Sequence, residues 1–146
     1  MAGTARLSLE EANTPPLPVA PDLARAYRDY LTHLGLERRV SPNTIAGYGK
    51  DLSRFLIMMA DHLGGHPSLA DMSALRPADF RAWMARRSND GLAKTSMARA
   101  LSALRGFFEW MARQGLADNP AVAHLRGPRL PRSVPKPLSV PDAEAV

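Results

Sequence analysis

The sequence predicts an all-α fold, a small bundle of about four helices, on three observations. Apolar residues recur at steps of three and four in four separate stretches, the period of a helix with one buried stripe. No stretch alternates apolar and polar residues as a half-buried strand does. Helix start and stop residues bracket the stretches, and the loops left between them are short.

The first helix carries Leu23, Ala26, Tyr27, Tyr30, Leu31 and Leu34 on one face, with Asp22 as its N-cap and Gly35 near its end. Ser41-Pro42 opens the second, a capping hydroxyl followed by a residue whose φ is preset for the first helical position. Its apolar face is Ile45, Tyr48, Leu52, Phe55, Leu56 and Met59, and Gly64-Gly65 stops it after Leu63. Leu69 to Leu75 reads as a connector. Pro77 opens a third helix with Phe80, Trp83 and Met84 inward, ending near Asn89-Asp90-Gly91. The fourth helix, Lys94 to Gln114, turns Met97, Leu101, Leu104, Phe107, Phe108 and Met111 inward. Gly115 is its C-cap signal, and Asn119-Pro120 breaks the chain before a brief helical turn at Ala121 to Leu125.

On this reading residues 1–21 form a Pro-, Ala- and Thr-rich disordered leader, 22–126 the packed domain, and 127–146 an extended basic linker. Five Pro in residues 128–141 rule out a continued helix there. Ser139-Val140-Pro141-Asp142-Ala143-Glu144 reads as the start of a further helix, so the chain is expected to belong to a longer protein.

Composition excludes several classes. There is no Cys, hence no disulfide framework and no thiolate metal site. No apolar run approaches the ~18 residues of a membrane span, and Glu10 and Glu11 do not fit a signal peptide. A cytoplasmic protein is the expectation. His62 and His66 are four apart, but Gly64-Gly65 lie between them and no acid or Cys completes a site. His33 and His124 stand alone, so neither a metal nor another cofactor is expected. Tyr27, Tyr30 and Tyr48 belong to amphipathic helices and read as core. Trp83 and Phe107 do likewise, whereas Trp110 falls off the main stripe and is a candidate partner surface.

The net charge of +5 is unevenly placed. Residues 1–22 are net −2, whereas residues 76–113 carry eight bases against Asp79, Asp90 and Glu109. Residues 126–136 add Arg126, Arg129, Arg132 and Lys136 with no acid. Sixteen of the nineteen bases are Arg, which forks onto phosphate oxygens better than Lys. A GC-rich genome also favours Arg, but it does not explain the clustering. The polar side of the fourth helix carries Thr95, Arg99, Ser102 and Arg105, with no acid before Glu109. An ordinary solvated face mixes both charge signs, while a row of Arg and hydroxyls suits a row of phosphates. The second helix lines up Asn43, Gly47, Lys50 and Arg54 opposite its apolar stripe, with Thr44 beside them at the amide-rich N-terminus. The bland alternative there is a solvated face on which Asp51 and Arg54 partner their neighbours. Arg38 and Arg39 flank the first interhelix loop, either gripping a nucleic-acid backbone or lying on the surface.

The run LSALRGFFEWMARQGLADNPA, ending at Ala121, resembles the end of the N-terminal core-binding, SAM-like domain of tyrosine recombinases, the phage-integrase family, and is most similar to the Xer type. SPNTIAGYGKDLSRFL, Ser41 to Leu56, resembles that domain's second helix. The likeness covers most of Leu23 to Val146. It implies that the second and fourth helices cross near the major groove of double-stranded DNA. Thr44, Lys50 and Arg54, with Lys94, Thr95, Ser96, Arg99, Ser102 and Arg105, would then line the DNA face. It also implies that Arg129, Arg132 and Lys136 run along the duplex as part of a linker between two clamping domains; the alternative is a tail that binds any polyanion weakly.

In that family the nucleophilic tyrosine lies in a C-terminal catalytic domain, with an Arg pair, a Lys and His residues that stabilise the phosphate. None of that constellation is legible here, so this stretch is expected to bind DNA and do no chemistry. It would clamp a recombination half-site for strand cleavage and exchange by the longer enzyme, without metal or energy cofactor, in chromosome dimer resolution. Partner recombinase protomers are implied for the full assembly, and a monomer for this chain alone. The rivals are a phage or transposon integrase domain and a helical module that docks an acidic protein.

Overall fold

The computed structural model describes residues 17–37 and 40–128. Its helices are α1 (Pro21–Glu37), α2 (Pro42–Leu63), α3 (Leu69–Ala74), α4 (Pro77–Asn89) and α5 (Lys94–Arg113), followed by a 3-10 turn at Pro120–His124. No strand occurs among the described residues. The all-α expectation holds, with the four long helices where periodicity puts them. The fourth of the sequence is α5, because the connector at Leu69 is itself a short helix. Ser68 Oγ accepts from the Asp71 amide (3.3 Å), and Asp71 Oδ2 accepts from the Ser68 amide (2.8 Å). This reciprocal cap lets six residues hold helical geometry that their length alone would not support.

The caps explain most other boundaries. Ser41 Oγ accepts from the Thr44 amide (3.2 Å), with Pro42 at the first helical position. Gly64 ends α2 at φ 77°, in the left-handed region that a side chain disfavours. At the end of α5 the Leu116 amide reaches back to the Met111 carbonyl (2.9 Å) across Gly115, a Schellman closure. Asp22 is not the cap of α1, which begins one residue earlier at Pro21. Its carboxylate instead accepts from the Leu69 amide (3.4 Å). The packed unit also starts before Asp22: Val19 is buried, and the Ala20 amide donates to the Pro67 carbonyl (2.9 Å).

α5 is the central helix, packing against α1, α2, α4 and the 3-10 turn. Phe55, Phe80, Trp83 and Phe108 form one aromatic cluster between α2, α4 and α5, with Phe55 and Trp83 edge-on at 5.3 Å. Tyr30, Phe107 and Trp110 form a second between α1 and α5. Trp110 is therefore core and not partner surface: it is 5% exposed and lies 5.5 Å from the Tyr30 ring. The apolar arc of α5 is wider than its main stripe because α1 covers a second side. Of the three tyrosines, Tyr30 is fully buried and Tyr27 and Tyr48 pack partly against the core. Tyr27 donates to the Gly49 carbonyl (2.8 Å), and burial raises its pKa.

Candidate nucleic-acid interface

α2 and α5 lie against each other and leave a polar seam open to solvent. On α2 the side chains of Asn43, Thr44, Lys50 and Arg54 are exposed, and on α5 those of Lys94, Thr95, Arg99 and Ser102. Ser96 is half-buried. The 3.6-residue period explains both rows, since each is displaced around its helix from the stripe that enters the core. The first acid of α5 is Glu109.

The seam is pinned at one point. Arg99 Nε donates to Asp51 Oδ2 (2.8 Å) and Arg99 Nη2 to Asp51 Oδ1 (3.0 Å). The Asp51 side chain is 2% exposed, whereas that of Arg99 is 51% exposed. The carboxylate is thus built into the domain and the guanidinium spans from it to solvent. The hydrogen bonds to Asp51, then its charge, raise the Arg99 pKa further above its ordinary value. The sequence placed Asp51 only as a partner to its neighbours on a solvated face, whereas in the fold it is buried and pairs with Arg99 of α5. Its signal was position: it stands directly before the buried Leu52, on the flank of α2 between the solvent row and the core.

Other predicted residues divide. Thr44, Ser102 and Arg105 line one cleft of about 340 Å³ between α1, α2 and α5, together with Tyr48 and Glu109. Thr44 Oγ1 also accepts from the Ser41 hydroxyl (2.9 Å), so part of its polar capacity serves the helix start. Arg105 is also engaged elsewhere, with Nη2 donating to the Leu125 carbonyl after the 3-10 turn. Lys94 lines a separate cleft with Met97, Leu92 and Arg126. Arg54 lies beside Arg86 and Arg87 of α4, which the sequence did not bring into the site. Arg86 is engaged with Asp61 (2.9 Å). Arg38, Arg39, Arg129, Arg132 and Lys136 lie outside the described residues.

No group of three or more His, Cys, Asp or Glu comes together among the described residues. His62 instead bonds Asp79 (2.8 Å), joining the end of α2 to the start of α4. No helix among the described residues is long and apolar enough to cross a membrane.

The described residues thus form an all-α bundle with a basic, hydroxyl-rich seam between two of its helices. Residues 28–115 match the family model described as phage integrase, N-terminal SAM-like domain, and the chain belongs to that family. It is 40% identical over 130 residues to the tyrosine recombinase XerC of Mesorhizobium japonicum, covering 89% of this chain and 42% of that protein. The XerC of Rhodospirillum centenum is 42% identical over 123 residues, with 84% and 36% covered. That of Methylobacterium nodulans is 42% identical over 135 residues, with 91% and 42% covered. The chain therefore spans about two fifths of the length of the curated relatives it matches. No solved structure matches it significantly.

Proposed function

We propose that this chain is the DNA-clamping domain of a XerC-type site-specific tyrosine recombinase. It grips one face of a recombination half-site through α2 and α5 and holds the duplex in register. The catalytic domain of the longer protein then cleaves and rejoins strands through a phosphotyrosine link, with partner protomers around two DNA sites. Chromosome dimer resolution in the cytoplasm is the process this serves. The observation that carries the proposal is the pairing of two exposed rows, Asn43, Thr44, Lys50 and Arg54 on α2 with Lys94, Thr95, Arg99 and Ser102 on α5. Family membership and the kinship to XerC proteins support it. Lys50, Arg54 and Lys94 have no ion-pair partner among the described residues, which leaves them available to phosphates.

Most of the affinity then comes from cation–phosphate contacts that release counterions, so it falls steeply with salt. The test is fluorescence anisotropy of the chain with a labelled duplex of about three helical turns, across a salt series. The expected result is a linear fall of log affinity with log salt. No binding at the lowest salt overturns the proposal.

A further inference from the structure

We propose that Arg99 reads a guanine edge in the major groove rather than a phosphate, and that Asp51 is its positioning residue. This rests on the DNA-binding proposal above and deepens it. Three observations separate Arg99 from the other exposed cations. It is held by two hydrogen bonds, through Nε and Nη2, to one carboxylate. That carboxylate is buried. The guanidinium is nevertheless half-exposed on the seam.

The chemistry follows from the shape of the group. A guanidinium has five N–H donors in a plane. The carboxylate takes one fork, Nε with one hydrogen of Nη2. The other fork, Nη1 with the second hydrogen of Nη2, presents two parallel donors. Phosphate recognition rewards net positive charge and tolerates a mobile stem, as Lys50 and Arg54 provide. Arg99 offers neither, because Asp51 offsets its charge and repels a second anion while fixing the ring of donors. What remains is a pair of donors at a set distance and direction. Guanine offers the matching pair of acceptors, O6 and N7, on its major-groove edge. Thr95 and Ser102 flank Arg99 on the same face, four residues before and three after, and both are exposed.

The test is binding-site selection from duplexes with a randomised core, run with this chain and with Arg99→Lys. Lysine keeps the charge and loses the fork. The wild-type chain should enrich duplexes with guanine fixed at one position, and replacing that base should weaken binding roughly ten-fold or more. Replacing it by 7-deazaguanine, which lacks the N7 acceptor, should do the same. Arg99→Lys should lose that preference, whatever its affinity for the unselected pool. If Arg99→Lys enriches the same guanine, or 7-deazaguanine is tolerated by the wild type, the assignment is overturned. Binding of the pool with no base preference overturns it while leaving the DNA clamp intact. No binding at low salt overturns both. Should Arg99→Lys fail to fold, the 7-deazaguanine comparison on the wild-type chain still decides.

Discussion

The guanidinium of Arg99 on α5 and the carboxylate of Asp51 on α2 meet through two hydrogen bonds of 2.8 and 3.0 Å, one partner half in solvent and the other buried. The two ends of this pair are not equivalent. Loss of Asp51 releases Arg99 to water, whereas loss of Arg99 strands a buried carboxylate. Arg99→Ala should therefore destabilise the domain by roughly 1–3 kcal/mol, and Asp51→Ala by less. Urea unfolding of both variants and of the double variant checks this; equal losses from the two single variants would contradict the asymmetry.

The phosphate-gripping cations should separate from the structural ones. Lys50→Ala and Arg54→Ala should each lower the salt slope of DNA binding by about one without changing the melting temperature. Arg105→Ala should act in the opposite way, since its guanidinium holds the Leu125 carbonyl. Melting curves and anisotropy on the same three proteins distinguish the two behaviours. An Arg105→Ala protein that melts normally and binds DNA poorly would return Arg105 to the DNA row.

Acid should loosen the start of α4. Asp79 accepts from the Arg76 amide (2.7 Å) and bonds His62 (2.8 Å), and these contacts, chiefly the backbone one, lower its pKa from 3.8 to about 2. A folded-state value below the unfolded one means that the stabilisation is complete above about 4 and is lost as the pH falls toward 2. The melting temperature should drop less steeply over that window in Asp79→Asn than in the wild type. Parallel curves would show that Asp79 does not carry the dependence.

Gly106 is a packing glycine. A Cβ there would stand 2.5 Å from the Tyr30 hydroxyl, and the Tyr30 ring is locked between Phe107 and Trp110. Gly106→Ala gains up to about 1 kcal/mol of helix propensity and loses about 1–3 kcal/mol to overpacking. A net loss of stability is expected by thermal melting. Gly106→Ala in a Tyr30→Phe background, where the hydroxyl is gone, should recover most of it.

Asn119 is the joint between α3 and the end of the domain. Its buried amide donates to the carbonyls of Met72 (2.8 Å) and Leu75 (2.9 Å), and its oxygen accepts from the Ala121 amide (3.1 Å). Asn119→Ala should cost about 2–4 kcal/mol by leaving these groups unpaired. Asn119→Asp should be no better, because a carboxylate would face two carbonyl oxygens. Chemical denaturation of both variants is the measurement.

Local rules were sufficient for much of this molecule. The steps of three and four in Leu23–Leu34, Ile45–Met59 and Met97–Met111 mark the buried stripes, because helix geometry alone decides which residues share a face. Ser41-Pro42, Gly64 and Gly115 mark the ends, because caps are satisfied by residues next to them in the chain. The basic, hydroxyl-rich character of α5 was equally legible. The short helix at Leu69 was missed although its cap, Ser68 with Asp71, is local; six residues are too few to show a period.

Partner choice was decided only by tertiary structure. Nothing within α5 says that Arg99 meets an acid 48 residues earlier, that Arg105 turns to a carbonyl 20 residues later, or that α1 covers Trp110. Periodicity assigns a residue to a face but not to the neighbour across from it. That neighbour depends on the register in which two helices pack, which the side chains of the whole core settle together. The sequence by itself thus determined a helical domain with a cationic seam. The packing of α2 on α5 decided which cation of that seam is free to move and which is held in one direction.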